Sequence, residues 1–70
     1  DMRQAYEWFY RAARSGVNIS MCMLGSMYEN GEYVKKDLKS ALYWYQMAYK
    51  SGNKAAYDKW QKAKAKIIKC

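Results

Sequence analysis

Apolar residues recur three and four positions apart in four stretches of this chain, and turns that contain glycine or asparagine separate the stretches. Spacings of three and four place side chains on one face of an α-helix. The first stretch predicts a helix at residues 2–14, closed by Gly16, because glycine adopts the left-handed conformation at a helix end at least cost. The apolar face of this helix consists of Ala5, Trp8, Phe9 and Ala12.

The second stretch predicts a helix at about residues 19–29, with Asn18 as its N-cap. Gly25 in its middle costs about 1 kcal/mol relative to alanine, so we expect it to serve the close approach of a neighbouring helix. The small residue expected to approach it is Ala41 or Ala48. The inward stripe expected on this helix is Met21, Leu24 and Tyr28, with Ser20 and Met27 beside it.

The third helix is predicted at residues 38–50 and the fourth at about residues 53–69. Asp37 is a favourable N-cap for the third helix, and Val34 in the preceding loop is expected to tuck between the second and third helices. Gly52 is expected to close the third helix. The apolar stripes are Ala41, Trp44, Tyr45 and Ala48 on the third helix, and Ala56, Trp60, Ala63 and Ile67 on the fourth.

The first and third helices share a pattern that returns after 36 residues. The identical pairs are Ala5 and Ala41, Trp8 and Trp44, Ala12 and Ala48, Ser15 and Ser51, and Gly16 and Gly52. A fixed period of this length is the signature of a solenoid built from one supersecondary unit. We therefore predict an all-α fold of four antiparallel helices in a partial array: 1–16 as the second helix of a partial repeat, 17–52 as a complete repeat and 53–70 as a C-terminal capping helix.

Residues 24–52 resemble one complete repeat of the SEL-one-like repeat family, whose pattern is LGxxYxxGxGVxxDxxKAxxWYxKAAxxG, and residues 1–16 match the second half of a preceding repeat. The sequence departs from the pattern at Tyr33, where glycine is usual, at Ser40, where lysine is usual, and at Tyr49, where alanine is usual. A residue other than glycine at positive φ is uncommon, so Tyr33 puts the loop conformation in question. The resemblance implies an α–α superhelix of right-handed sense, related to tetratricopeptide repeats, with a concave face that binds proteins.

The resemblance further implies a non-catalytic adaptor or scaffold for protein–protein interaction. The residues expected to contact a partner are Ile19, Met23, Ser26, Met27 and Tyr43. The other interpretation left open is that the methionines merely fill gaps between helices. Many relatives are bacterial and several are periplasmic or secreted, so partners by analogy include an envelope protein, a host protein or a toxin that the chain neutralises. The compartment of this chain stays unknown.

Positive charge is concentrated at the end of the chain. The formal net charge is +7, of which residues 53–70 supply +5, from six lysines and Asp58. Basic amphipathic helices bind anionic membranes, nucleic acid or acidic proteins, so membrane or nucleic-acid binding by this helix is the alternative function. A solvated surface is the interpretation that competes with it. The lysines that define this basic surface are Lys59, Lys62, Lys66 and Lys69.

Catalytic chemistry has little support in the sequence. The chain has no histidine, which removes the commonest general base, and its six carboxylates are scattered. Ser51 and Lys54 fit the S-x-x-K pattern of penicillin-recognising enzymes, but the partner motifs of those enzymes are missing. We expect no catalytic residue, no metal site and no cofactor, and we keep penicillin-binding or hydrolase-like activity as a remote alternative.

The two cysteines are predicted to be free thiols. In the repeat register Cys22 lies beside position 58, and Cys70 is about 18 Å farther along the fourth helix, whereas disulfides need Cα atoms within about 7 Å. An intermolecular bond through Cys70 is left open.

The aromatic residues are predicted mainly as core. Those expected inside are Trp8, Phe9, Tyr28, Trp44, Tyr45 and Trp60, whereas Tyr10 and Tyr43 are expected to point outward. The apolar face of residues 5–12 should need a partner upstream. An earlier repeat or a second copy of the chain, forming a dimer, would supply it.

Overall fold

Four α-helices make up the computed structural model, which describes residues 2–68: α1 (Met2–Arg14), α2 (Asn18–Asn30), α3 (Leu38–Lys50) and α4 (Ala55–Ile68). No strand occurs in this part of the chain. The all-α prediction is confirmed, and the bounds of the first and third helices agree with the sequence pattern. None of these helices is both long enough and apolar enough to cross a membrane.

Consecutive helices pack against each other in antiparallel pairs. Between α1 and α2, the hydroxyl groups of Tyr6 and Tyr28 are 3.0 Å apart, so the start of one helix meets the end of the next. Between α2 and α3, the Asn18 side chain donates to the Ser51 carbonyl at 3.3 Å. Helices α3 and α4 also pack together, and the contacts confirm the predicted helical repeat array.

The N-cap of α2 differs from the prediction. Val17 occupies the cap position with extended backbone and makes no side-chain capping bond, while Asn18 is already helical. The side-chain amide of Asn18 instead donates a hydrogen bond to the carbonyl of Ser51. The prediction for α3 is confirmed, because the Asp37 carboxylate accepts hydrogen bonds from the backbone N–H groups of Lys39 and Ser40.

Helix α4 begins two residues later than expected. The Asn53 side chain accepts a hydrogen bond from the backbone N–H of Ala55 at 3.1 Å, so Asn53 lies before the helix as a cap does. Gly52 has a φ of 110° and Gly16 a φ of 98°, which confirms the left-handed positions predicted at the two matching helix ends.

The core consists of two clusters of buried side chains. The first cluster contains Ala13, Met21, Cys22, Leu24, Met27, Ala48 and Ala56, with Val34 packed against it as predicted. The second contains Ala41, Tyr45 and Ala63, with Tyr28, Leu42 and Trp60 at its edge. Leu24 and Tyr45 are the largest side chains that are completely buried, so α2 and α3 form the centre of the molecule.

Gly25 serves a close approach, but the group that approaches it is the ring of Tyr45. A Cβ atom built on Gly25 would lie 2.6 Å from Cδ1 and Cε1 of that ring. The prediction of Ala41 or Ala48 as its neighbour was therefore wrong. The missing side chain makes room for a large aromatic residue and does not bring two backbones together.

Tyr33 has a φ of 65°, so the loop keeps the left-handed position at which the family usually has glycine. Its ring lies 5.5 Å from the ring of Tyr6, measured between centroids. The contact with α1 accompanies a backbone conformation that is unusual for a tyrosine.

Trp8 contradicts the prediction that it belongs to the core, because 71% of its surface is exposed. It lies on the side of α1 that faces away from α2, with Gln4, Glu7 and Arg11 around it. No described helix packs on this side. The expectation that this face needs a partner stays a prediction.

Candidate functional site

The side of α2 that is not packed carries three of the five residues for which a partner was predicted. We call Ile19, Met23, Ser26 and Asn30 the α2 stripe; they follow one another at spacings of four, three and four, so they share one helix face. Ile19 is 66% exposed and Met23 is 42% exposed, although six of the thirteen residues of the helix are buried. Two apolar side chains are therefore held in solvent on an otherwise packed helix.

Met27 does not belong to this surface. It is only 5% exposed and is part of the first core cluster. Residues 23 and 27 are four positions apart, but Met27 lies on the flank of the helix that also carries Leu24. The sequence already indicated this buried position, because Met27 lies beside the inward stripe of Met21, Leu24 and Tyr28.

The α2 stripe ends in polar groups. The Ser26 hydroxyl is half-buried and accepts a hydrogen bond from the side-chain amide of Asn30 at 3.3 Å. The same amide lies 3.4 Å from a carboxylate oxygen of Glu32. The apolar part of the stripe is therefore its first half, and the second half offers hydroxyl and amide groups.

Tyr43 lies elsewhere. It is exposed on α3, its ring is 5.3 Å from the ring of Trp44, and Trp44 in turn contacts Tyr10 of α1. These residues line a shallow groove between α1 and α3 together with Arg14 and Met47. The structure does not bring Tyr43 together with the α2 stripe.

Lysines of α4 lie beside the α2 stripe. The Lys66 Nζ atom is 2.6 Å from a carboxylate oxygen of Glu29 on α2. The Asn53 side chain, just before α4, donates to Cys22 in the first half of α2 at 3.4 Å, so α2 and α4 run in the same direction. Lys59 lies seven positions before Lys66 and shares its helix face. We call Lys59, Lys62 and Lys66 the lysine row; Lys69 lies outside the described residues.

Glu29 connects three helices and was not singled out from the sequence. Its second oxygen accepts a hydrogen bond from the Tyr45 hydroxyl at 2.7 Å. Burial raises the pKa of Glu29, but the hydrogen bonds from Lys66 and Tyr45 and the nearby positive charges outweigh this effect, so the pKa lies below its ordinary value. Burial and the neighbouring carboxylate raise the pKa of Tyr45 far above its ordinary range. Both groups therefore keep their usual ionisation state at neutral pH.

Cys22 is a buried free thiol between α2 and α4. Its Sγ atom accepts a hydrogen bond from the side-chain amide of Asn53 at 3.4 Å. Burial raises the pKa of the thiol, and the charge of Lys59 only partly opposes this effect, so Cys22 is not an activated nucleophile. The prediction about Cys70 falls outside the described residues.

The S-x-x-K pattern does not form a nucleophile and base pair here. The Ser51 hydroxyl donates to the Met21 sulfur at 3.6 Å, and the residue ends helix α3. Lys54 lies in the following turn, and its side chain is exposed. Activation of the serine by this lysine would require a direct contact that the described residues do not make.

An aromatic cluster at the α3–α4 end of the array was not predicted as a unit. The rings of Tyr49 and Tyr57 are 5.3 Å apart, and Trp60 lies 6.0 Å from Tyr57. Both tyrosines are exposed. The sequence signal for this cluster was Tyr49, which stands at a position where the resembled family usually has alanine.

The comparisons with known proteins agree with the repeat pattern. The family model of the Sel1 repeat matches residues 1–17 and 18–53. The chitin synthase regulator SKT5 of Saccharomyces cerevisiae is 32% identical over 59 residues, which are 84% of this chain and 8% of that protein. The chain thus spans a small part of the length of this curated relative. No solved structure matches the chain significantly.

Proposed function

The chain belongs to the Sel1 repeat family, and from this premise we propose that it is a non-catalytic adaptor that holds a segment of another protein on the α2 stripe. Sel1 repeats are generally protein–protein interaction modules, and the family is generally non-catalytic. The yeast relative is named as a regulator of an enzyme, which is a role that an adaptor can fill.

The observation that carries the proposal is the exposure of Ile19 and Met23 on a helix whose other sides are packed. Complete burial of such a side chain contributes about 1.5–3 kcal/mol, and both side chains have much of this contribution still to gain. Because α2 is held by α1, α3 and α4, its backbone needs no ordering when a partner binds, and this lowers the entropic cost of association.

A matched pair of variants tests the site. Ile19→Asp places a charge in the α2 stripe, and Ile68→Asp places the same charge at an equally exposed isoleucine, 71% exposed, on α4. Proteins retained by the chain from its own cell extract at high salt are identified by mass spectrometry, purified and titrated calorimetrically against both variants.

The proposal requires that Ile19→Asp weakens binding of the purified partner at least tenfold, about 1.4 kcal/mol, and that Ile68→Asp leaves it nearly unchanged. Circular dichroism of each variant checks that the helices are intact. Equal affinities for the two variants would place the binding surface outside the α2 stripe.

The alternative function is binding of the lysine row to an anionic membrane or to nucleic acid. It predicts that binding weakens steeply as salt is added, because counterions are released on association. The row contains lysine and no arginine, and arginine is the residue preferred for bidentate phosphate contacts. Vesicles and oligonucleotides therefore serve as competing probes in the same titrations.

The remaining predictions are more remote. Hydrolysis of a chromogenic β-lactam by the purified chain, abolished by Ser51→Ala, is the result that would support an enzymatic role.

A dimer formed through the exposed Trp8 face would appear in sedimentation velocity and would be lost in Trp8→Glu. The bacterial origin and the periplasmic or secreted compartment stay predictions from family analogy.

A further inference from the structure

The α2 stripe and the lysine row lie side by side along the same face of the molecule. The Glu29–Lys66 contact and the hydrogen bond from Asn53 to Cys22 join α2 to α4, and Lys59 shares the helix face of Lys66. The α2 stripe covers residues 19–30, about 16 Å of helix rise, and the lysine row covers residues 59–66, about 10 Å. A stripe that is apolar in its first half therefore runs beside a row of lysines.

The basic strip has little acidic charge to balance it. The carboxylate between the two helices, Glu29, is already bonded by Lys66 and by the Tyr45 hydroxyl. Lys59 and Lys62 are exposed and form no ion pair with any residue of 2–68. Asp58 is the one acidic residue of α4, and it lies in the first turn. The face therefore carries positive charge that is not neutralised.

We propose that the partner segment is an acidic amphipathic peptide, with apolar side chains on Ile19 and Met23 and carboxylates at Lys59 and Lys62. This inference rests on the proposed function and specifies the chemistry of the partner. The apolar contacts supply most of the affinity, whereas the lysines select for acidic segments and raise the association rate.

Other occupants fit this face less well. Single-stranded nucleic acid is held by stacking of bases on aromatic rings, and neither the α2 stripe nor the lysine row contains an aromatic residue. The exposed rings of Tyr49 and Tyr57 contact Trp60 at the other flank of α4. Two apolar side chains also give too small an area for insertion into a membrane surface.

The test uses a phage-displayed library of random peptides selected on the immobilised full chain. Lys59→Gln/Lys62→Gln removes two charges from the lysine row. Lys54→Gln/Lys64→Gln is the matched control, because it lowers the net charge equally at the flank of α4 that carries the aromatic cluster. A selected peptide is then titrated by fluorescence anisotropy at low and at high salt.

We expect the selected peptides to combine Asp or Glu with apolar residues. Neutralising Lys59 and Lys62 should weaken the affinity about three- to tenfold at low salt and less at high salt, because exposed charge pairs are modest and screened. The control variant should stay within about twofold of the wild type. Ile19→Asp should abolish binding, by repulsion and lost apolar contact.

Two failures are distinguishable. Peptides that need Ile19 but are neutral or basic, or that respond equally to both lysine variants, would overturn the acidic partner and leave the proposed function standing. A library from which the chain selects nothing that depends on Ile19 would contradict the proposed function itself. Binding of a labelled oligonucleotide or of anionic vesicles that requires Lys59 and Lys62 would replace the peptide by another class of ligand.

Discussion

Helices α1 and α3 carry the same repeated residues but lie in different surroundings. Trp44 on α3 is half-buried against Tyr10 and the first core cluster, whereas Trp8, its equivalent on α1, is 71% exposed. Tyr45 is buried in the second cluster, whereas Phe9 only packs against the edge of the first. The sequence of a repeat specifies an apolar face, and burial of that face depends on a helix at each side.

The comparison of α1 and α3 also distinguishes apolar residues that are buried within the chain from apolar residues that stay exposed and available to a partner. Helix α3 packs against both α2 and α4, so its apolar residues are used within the chain. Helix α1 packs against α2, and α2 leaves the α2 stripe exposed. Equivalent substitutions in α1 and α3 should therefore have unequal effects on stability.

The largest difference is expected between Tyr45→Ala and Phe9→Ala. Removing the buried Tyr45 ring should lower the free energy of unfolding by about 3–5 kcal/mol, since large core truncations leave a cavity. Phe9→Ala should cost about half as much because the ring is only partly buried. Urea unfolding followed by circular dichroism measures both, and Tyr45→Leu serves if the alanine variant does not fold. Equal losses would mean that α1 contributes to the core as fully as α3.

Trp8 and Trp44 allow the comparison of α1 with α3 to be made at two identical residues. Trp44→Ala should lower the free energy of unfolding by about 2–3 kcal/mol, whereas Trp8→Ala should change it by no more than about 0.5 kcal/mol, as is usual for surface positions. Differential scanning calorimetry of both variants checks this. A large loss in Trp8→Ala, dependent on protein concentration, would instead reveal a second copy packed on α1.

Gly25→Ala should destabilise the chain although alanine is the better helix former. The added Cβ would lie 2.6 Å from the Tyr45 ring, and overpacking of a core costs about 1–3 kcal/mol against a helix-propensity gain of about 1 kcal/mol. The net loss in urea unfolding should be up to about 2 kcal/mol. Combining the substitution with Tyr45→Leu should remove the penalty, and a stabilised single variant would show that the ring moves away at little cost.

The smallest effect concerns the carboxylate that joins α2, α3 and α4. Because the pKa of Glu29 is lowered in the folded state, its contribution is present above the pKa of the unfolded chain and is lost as the pH falls through the lower folded value. Glu29→Gln should thus reduce stability at neutral pH by roughly 1 kcal/mol and flatten the stability profile below the ordinary glutamate pKa of about 4.3. Urea midpoints at several pH values test this, and parallel profiles would exclude Glu29 as a source of the acid sensitivity.

The repeat period, the four helices and the buried faces of α3 and α4 could be predicted from the sequence, because they depend on local spacing and on caps such as Asp37. The partner of Gly25 could not, since that contact depends on the rotation of α3 against α2. The same limit explains why Met27 was assigned both to the core and to the binding surface. Residues at the boundary of two helix faces are assigned only when the neighbouring helices are in position.

The ion pair of Glu29 and Lys66 could not be predicted from the sequence, for a different reason. It joins residues 37 positions apart on two helices that are not consecutive, and the repeat register, which places Cys22 beside position 58, does not by itself specify which side chains pair. The lysines could be recognised from the composition of residues 53–70. Their position beside Ile19 and Met23 could not be predicted, because it depends on how α2 and α4 pack against each other. The sequence therefore suggested two competing binding surfaces that the structure places side by side.

The packing of each helix mainly against its neighbours in the chain has a consequence for how the protein folds. Contacts of this kind close short loops, so contact order is low and folding should be fast, on the order of microseconds to milliseconds. The α2–α3 hairpin holds the most deeply buried residues, Leu24 and Tyr45, and is the natural nucleus from which α1 and α4 are added. Amide hydrogen exchange should therefore be slowest in α2 and α3 and progressively faster toward the two ends of the chain.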